Sequence, residues 1–272
     1  MAAAEGDALN VYFGRPSGIR TVPDVRFTIS TDTAGGDVTS LASGDINADG
    51  YDDYIVGAGA PDTVRFPWRQ PSVIVHYGFD SRAVEGPAPN TYTIAGRTLG
   101  TRVAFAGDLN GDGFGDLATT SYAGSDRRAV VFLGADSGAT PVAVEVLPSP
   151  FTSDFANTLA WGGDIDGNGY DDLIVGIGLP VLGWLPGSAT FGTAATAGTE
   201  ATFPIANDMG LGWSIAGVGD IDGDHVSDII VGAGAASSGS AQVVSGGASG
   251  FHVSATLSPG RPVPRFGTSI AR

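Results

Sequence analysis

Four short stretches of the chain place acidic and amide residues at alternating positions, and hard cations are bound by side chains of this kind. The stretches read DINADGYDD (45–53), DLNGDGFGD (108–116), DIDGNGYDD (164–172) and DIDGDHVSD (220–228). Ca²⁺ takes six to eight oxygen ligands, which positions 1, 3, 5 and 9 can supply from side chains and position 7 from its carbonyl. Soft ligands do not occupy these positions, which makes zinc or copper a poor match.

These four loops, numbered 1 to 4 in chain order, predict about four calcium sites. An alternative is that they are polar turns with solvated aspartates and no metal. The predicted ligands are Asp45, Asn47, Asp49, Tyr51 and Asp53; Asp108, Asn110, Asp112, Phe114 and Asp116; Asp164, Asp166, Asn168, Tyr170 and Asp172; and Asp220, Asp222, Asp224, Val226 and Asp228.

Loop 4 differs from the others in charge and in one backbone position. It has four carboxylates where the others have three and an amide, so it should bind calcium most tightly if all geometries are equal. However, His225 stands at position 6, where the other loops have glycine. Position 6 of such a turn favours positive φ, which glycine adopts without strain, so backbone strain at His225 opposes the charge advantage.

The loops belong to a repeat of about sixty residues. A short apolar run ending in Gly-Asp precedes each loop, and three β-rich runs separated by turn residues follow it. Four short strands per unit without helical periodicity are typical of a β-propeller blade. The sequence therefore predicts an all-β protein in which four-stranded blades stack on one another.

The repeat resembles the FG-GAP repeats of integrin α-subunits and their bacterial relatives. The similarity rests on residues 211–216 (LGWSIA) and 266–271 (FGTSIA), on the four loops, and on residues 57–61 (GAGAP). The second unit departs from the pattern, with residues 119–121 reading TTS in the place of the GAP element. The resemblance implies a calcium-binding propeller that acts in extracellular recognition or adhesion, with partners on the face opposite the calcium loops.

We expect a single propeller domain over residues 1–272, with complete blades beginning near residues 37, 99, 156 and 211. The terminal strands, 9–30 and 265–272, would form a shared or incomplete fifth blade. Three arrangements stay open: a five-bladed ring whose split blade lacks its second strand, part of a longer ring, or ends that complete a blade on a neighbouring molecule. The last is a head-to-tail contact and would build fibres.

Two aromatic stretches, 65–71 (RFPWRQP) and 181–187 (VLGWLPG), are predicted to be loops between the second and third strands. They would project from the face opposite the calcium loops, where exposed aromatic and arginine side chains are typical interface anchors. An alternative is that they fold back over the blades and only pack locally. The candidate residues for a protein or glycan ligand are Phe66, Trp68, Arg69, Trp184 and Leu185.

Composition narrows the function classes. The 272 residues carry a formal net charge of −16, and all 13 basic residues are arginine, which disfavours nucleic acid as a partner. No apolar run is long enough to span a bilayer, and no signal peptide is visible. We expect an extracellular or cell-surface protein that is not an enzyme, since its three histidines sit in no catalytic pattern. The alternatives are a carbohydrate-binding propeller and a propeller from a polysaccharide-processing enzyme.

Overall fold

The computed structural model describes most of the repeat units. The described residues are 2–5, 8–12, 16, 18–19, 21–28, 38–58, 71–79, 88–94, 97–124, 126–136, 143–146, 158–178, 181–192, 211–233, 239–248 and 251–258. Within these ranges the chain forms eighteen strands and no helix, which confirms the all-β prediction. The described residues therefore contain no helix that could cross a membrane.

The strands form five antiparallel sheets whose order follows the chain. We name them sheets N, 1, 2, 3 and 4. Sheet N contains β1 (Ala2–Glu5), β2 (Ala8–Val11) and β3 (Val25–Thr28); sheet 1 contains β4 (Val38–Gly44), β5 (Asp53–Ala58), β6 (Ser72–His76) and β7 (Asn90–Tyr92); sheet 2 contains β8 (Thr98–Gly107), β9 (Asp116–Ala123), β10 (Asp126–Phe132) and β11 (Ala143–Val146); sheet 3 contains β12 (Leu159–Gly163), β13 (Asp172–Gly178) and β14 (Val181–Leu185); sheet 4 contains β15 (Leu211–Gly219), β16 (Asp228–Ala233), β17 (Ser240–Ser245) and β18 (His252–Leu257).

The sheets stack in chain order, with the first strands β4, β8, β12 and β15 lying next to one another. Among the described residues, sheets 1, 2 and 3 each pack between two neighbours, and their middle strands are therefore largely buried on both faces. On β13, for example, Leu173 and Val175 pack with residues of sheet 2, whereas Ile174 packs with residues of sheet 4. Alternate side chains of a strand point to opposite faces, so a continuous apolar run such as LIV fits a strand buried on both sides.

Four hydrophobic clusters fill the boundaries between consecutive sheets. The cluster between sheets N and 1 contains Leu9 and Val56, and that between sheets 1 and 2 contains Ile55 and Leu117. Equivalent clusters join sheets 2 and 3 and sheets 3 and 4. Each sheet thus depends on its neighbours for its core, as in repeat architectures.

One predicted loop is a strand. Residues 181–187 were expected to project from the domain, with the third strand of the unit at 188–192. Instead β14 pairs with β13 in the register Leu173↔Leu185, and residues 189–192 form turns. The prediction was wrong because the stretch is apolar on both faces: Leu182 is buried against sheet 4 and Leu185 against sheet 2.

Sheet N has one strand more than the sequence predicted. The expected third and fourth strands correspond to β2 and β3, and β1 precedes them and pairs with β2. The short segment AAAE has little strand propensity of its own, so pairing along β2 decides its conformation. The predicted C-terminal strand at 265–272 and the predicted fourth strand of the third unit at 201–206 lie outside the described residues.

Candidate metal centre

Each of the four acidic loops connects the first strand of its sheet to the second. Loop 1 joins β4 to β5, loop 2 joins β8 to β9, loop 3 joins β12 to β13, and loop 4 joins β15 to β16. All four loops therefore occupy the same place in their sheets. The first strand ends at a glycine, and position 9 of the loop is the first residue of the second strand.

The aspartate at position 1 organises the turn. One of its oxygens accepts the N–H of position 5, and the other accepts the N–H of position 6. The bonds of the first kind join Asp49 to Asp45 (3.1 Å), Asp112 to Asp108 (3.1 Å), Asn168 to Asp164 (2.9 Å) and Asp224 to Asp220 (3.1 Å); those of the second kind start from Gly50 (2.9 Å), Gly113 (2.9 Å), Gly169 (2.8 Å) and His225 (2.9 Å).

Positions 3 and 5 each use one side-chain oxygen on the backbone. Position 3 accepts the N–H of position 5 at 3.0–3.2 Å, and position 5 accepts the N–H of position 7 at 2.8–2.9 Å in all four loops. In loops 1 to 3 the amide of an asparagine also bridges to the second oxygen of its aspartate neighbour, as from Asn47 to Asp49 at 2.9 Å. Loop 4 has aspartate at both positions, so it has no such amide.

The aspartate at position 9 has a different environment from the rest of the loop. It is fully buried in every copy. One oxygen accepts the N–H of position 2, and the other accepts the N–H of a glycine that follows the third strand. The four aspartates and their glycines are Asp53 with Gly78 (2.8 Å), Asp116 with Gly134 (2.8 Å), Asp172 with Gly187 (2.8 Å) and Asp228 with Gly246 (3.1 Å).

Burial raises the pKa of three of these carboxyl groups, although the two backbone N–H donors oppose the shift. The pKa of Asp53 rises to about 6, and those of Asp116 and Asp172 rise to about 7. Burial also raises the pKa of Asp166, whereas backbone N–H donors, that of His225 first, lower the pKa of Asp220. At Asp53, Asp116, Asp172 and Asp166, burial therefore disfavours the charged carboxylate unless a cation or a proton compensates.

The donor set fits a hard divalent cation. In loop 3, Asp164, Asp166 and Asp172 each offer an oxygen within 4.8 Å of the others. In loop 4 the corresponding group is Asp220, Asp222 and Asp224, without Asp228. Among the described residues, loops 1 and 2 show no such group of three acids, because an asparagine stands at position 3. Converging carboxylate and amide oxygens suit Ca²⁺ better than a transition metal.

Two backbone positions in each loop have positive φ. Position 6 was predicted to do so and does, including His225 at 72°. Position 4 was not predicted, although it is glycine in three loops, and Ala48 adopts φ of 57° there. Loops 1 and 4 therefore each contain one side chain in a conformation that glycine adopts more easily.

The five residues proposed to bind a ligand do not form one exposed group. Leu185 is buried in the core between sheets 2 and 3, and the half-buried Trp184 packs against Phe251 with ring centroids 5.1 Å apart. Their placement on β14 corrects the expectation that they stand on a projecting loop. Phe66, Trp68 and Arg69 lie outside the described residues.

Comparisons with known proteins agree with this repeat. Residues 99–142 match the family model of the FG-GAP repeat. The chain is 36% identical over 147 residues to integrin alpha-IIb of Mus musculus and 35% identical over 156 residues to integrin alpha-PS2 of Drosophila melanogaster. Each alignment covers 50% of this chain, but only 14% and 11% of the respective relative, so the chain spans a small part of these proteins.

A solved structure supports the fold. The crystal structure of BBS1N in complex with ARL6DN, soaked with mercury, aligns with a TM-score of 0.50 at 13% identity, covering 98% of this chain and 67% of that chain. At this identity the likeness concerns the fold alone. Together with the loops and the stacked antiparallel sheets, the comparisons confirm the resemblance drawn from the sequence, which is to FG-GAP repeats of the integrin α type.

Proposed function

We propose that the chain is a calcium-stabilised β-propeller module that acts outside the cell in recognition or adhesion. The observation that carries the proposal is the fourfold recurrence of one network, in which the side-chain oxygens of positions 1, 3 and 5 accept backbone N–H groups of the loop. These oxygens keep further lone pairs that a cation can use. The integrin relatives support an extracellular setting and a protein partner. No motif in the chain favours catalysis.

In this proposal, the side chains of positions 1, 3, 5 and 9 and the carbonyl of position 7 hold the cation. Asp172 meets this requirement most directly, because its carboxylate lies within reach of two other acids of loop 3. In the other loops the position 9 aspartate fixes the loop to the third strand and shares in binding through the lone pairs that its backbone donors leave unused. Bound Ca²⁺ would supply positive charge between these carboxylates.

Calcium would then contribute to folding stability through linkage. A site with a dissociation constant of about 10⁻⁴ M, typical of extracellular modules, adds about 1.4 kcal/mol at millimolar calcium. Four such sites approach the whole stability of an ordinary domain. The energetic role is therefore large even if each site is weak.

Thermal unfolding with and without calcium tests this proposal. We expect EDTA to lower the melting temperature and added calcium to restore it, whereas magnesium should restore less because it demands a tighter octahedral site. A melting curve that is the same in EDTA and in millimolar calcium would contradict the proposal.

We place the partner on the face opposite the loops, where Phe66, Trp68 and Arg69 stand in the predicted connection between β5 and β6. Trp184 and Leu185 are not part of this surface, since they pack in sheet 3. The alternative is a carbohydrate ligand, which a glycan array would detect beside a panel of extracellular proteins. Loss of binding on substitution of Trp68 with alanine, in a protein that keeps its melting temperature, would assign the surface.

A further inference from the structure

Neighbouring loops contact each other through their backbones. The N–H of position 8 in one loop points to the carbonyl of position 1 in the preceding loop. Ser227 donates to Asp164 at 2.8 Å in this way, and Asp171 donates to Asp108 at 3.3 Å. Loop 3 is thus bonded to loop 2, and loop 4 to loop 3.

The exit of the third strand makes a second contact of this kind. Ser188 donates its N–H to the carbonyl of Leu109 at 2.8 Å, and Gly247 donates to that of Ile165 at 3.0 Å. The approach is close: a Cβ on Gly187 would lie 2.9 Å from the Leu109 carbonyl oxygen. The first two carbonyl groups of loops 2 and 3 are therefore held by the sheet that follows.

Side chains cover the same boundary. The ring of Tyr170, position 7 of loop 3, lies against Gly111 at position 4 of loop 2, 2.6 Å from where a Cβ would stand. Val226, position 7 of loop 4, lies in the same way against Gly167 of loop 3, where a Cβ on the glycine would be 3.5 Å from the valine side chain. A residue predicted from the sequence as a ligand of one loop is thus also a neighbour of the loop before it.

Asp171 adds a contact that is not found at the other loop boundaries within the described part of the chain. Its carboxylate accepts the N–H of Asp108 at 2.8 Å, in addition to the bond from its own N–H to the Asp108 carbonyl. The equivalent position is glycine in loop 2 and serine in loop 4. Both backbone groups of Asp108, the residue whose side chain organises loop 2, are therefore bonded to a single residue of the next loop.

Loop 4 provides an internal contrast. Its position 2 residue, Ile221, is 54% exposed, whereas the equivalents in loops 1 to 3 are 2%, 0% and 1% exposed. A Cβ on Gly219 or Gly223 would meet nothing within 4 Å, although the matching glycines of loop 2 face Asp171 and Tyr170. Among the described residues, loop 4 has no following loop against it.

We propose that Asp171 is a positioning residue for the cation site of loop 2, so that a residue of loop 3 sets the calcium affinity of loop 2. This inference rests on the proposed calcium function. Asp108 directs its two oxygens to the N–H groups of positions 4, 5 and 6. Fixing its backbone from both sides preorganises these oxygens, and a preorganised site binds more tightly because less order must be gained on binding.

A titration that resolves the loops tests the inference. The glycine at position 6 donates its N–H to position 1 in loops 1 to 3, so ¹⁵N-glycine labelling gives one NMR reporter per loop: Gly50, Gly113 and Gly169. Calcium is added to the metal-free protein, and the midpoint is read at each reporter. The test variant is Asp171→Ala, and the matched control is Asp52→Ala, the exposed aspartate at the same position of loop 1.

We expect Asp171→Ala to weaken calcium binding at Gly113 about tenfold, the effect of losing one charge-assisted hydrogen bond. The midpoint at Gly50 should not move, and Asp52→Ala should leave Gly113 unchanged. Asp171→Asn keeps an acceptor for the Asp108 N–H and should recover most of the affinity. Asp171→Ser, which copies loop 4, serves as a second test if the alanine variant does not fold.

An unchanged midpoint at Gly113 in Asp171→Ala or Asp171→Ser would overturn the inference. So would an asparagine variant as weak as the alanine variant, because charge alone would then explain the effect. Failure of the proposed function looks different: in that case calcium moves none of the three reporters in the unmodified protein.

Discussion

Position 9 of each loop combines complete burial with a carboxylate whose two oxygens accept the N–H of position 2 of the loop and the N–H of a glycine that follows the third strand. This geometry links the loop to the third strand without any metal. A buried carboxylate that satisfies two otherwise unpaired N–H donors contributes to folding on its own. Position 9 therefore fixes the loop to its sheet whether or not it also binds the proposed cation.

The positive φ at position 6 yields a residue-scale prediction for loop 4. Replacing His225 with glycine should stabilise the metal-free protein by about 1 kcal/mol and tighten calcium binding at this loop, because a non-glycine residue at φ of 72° is strained. Denaturant unfolding in EDTA measures the first effect. Ala48→Gly in loop 1 is the parallel variant, at φ of 57°. A destabilised His225→Gly protein would mean that the imidazole, 3.9 Å from Asp220, supports the loop.

His76 on β6 yields a pH prediction. Burial lowers its pKa to about 4, and its ring stacks near Phe27 with centroids 4.7 Å apart. In the unfolded chain the pKa of histidine is about 6.5, so the unfolded state binds the proton first. The stability that the neutral ring provides is complete above pH 6.5, falls as the pH decreases, and is lost below about pH 4.

The loss over this range should reach about 3 kcal/mol, the free-energy equivalent of the pKa difference. In metal-free protein the raised pKa values of Asp53, Asp116 and Asp172 act in the opposite direction, since protonation favours the folded state between about pH 4 and 7. The difference between wild type and His76→Phe isolates the histidine, and His252→Phe on the exposed strand β18 is the control. A difference curve that is flat between pH 7 and 4 would refute this assignment.

At the scale of elements, the sequence predicts the strands that flank the loops, because each is a short apolar run bounded by glycine and aspartate. It fails at β14 and β1. The stretch VLGWLPG looks like an insertion since it contains tryptophan, glycine and proline, yet its last residue, Gly187, makes the same bond to position 9 as the glycines that follow the other third strands. That glycine is the signal that identifies β14. The conformation of β1 is decided by its pairing with β2, because a run of three alanines gives no local signal for a strand.

The correction at β14 can be tested by substitution. Leu185→Ala should cost about 2 to 5 kcal/mol, as expected for a leucine buried in a packed core, here with Leu109 and Phe191. A residue on a projecting loop would cost less than about 0.5 kcal/mol. Urea unfolding in calcium and in EDTA distinguishes a buried strand residue from a residue on a projecting loop. The control is Val253→Ala, at an exposed position of β18.

At the scale of the molecule, consecutive sheets bury each other's apolar faces. The three strands of sheet N correspond to the second, third and fourth strands of a complete blade. Glu5 pairs with Ala8 as Ala58 pairs with Ser72 and Ala233 with Ser240. The split-blade hypothesis therefore needs only a first strand. We propose that residues 266–271 (FGTSIA), whose sequence resembles that of 211–216 (LGWSIA), supply it, although they lie outside the described residues.

Cysteine cross-linking tests this arrangement in a chain that has no cysteine of its own. Ile215 pairs with Val231, and the equivalent residues are Ile270 and Ala3. The double variant Ala3→Cys, Ile270→Cys should oxidise to a cross-linked monomer if one chain completes its own blade. Cross-linked dimers and longer oligomers would indicate head-to-tail assembly. If the two thiols stay free after oxidation, in monomers as well as in oligomers, this pairing is ruled out.

Calcium binding by the repeated loops is the central claim, and a direct count of bound ions tests it. Metal-free protein is titrated with calcium, and the stoichiometry is compared with that of Asp112→Asn and Asp224→Asn, which each remove one carboxylate from one loop. We predict about four ions per chain, with one fewer at moderate calcium in each variant. A chain that binds no calcium at millimolar concentration, or a stoichiometry that neither substitution changes, would contradict the account.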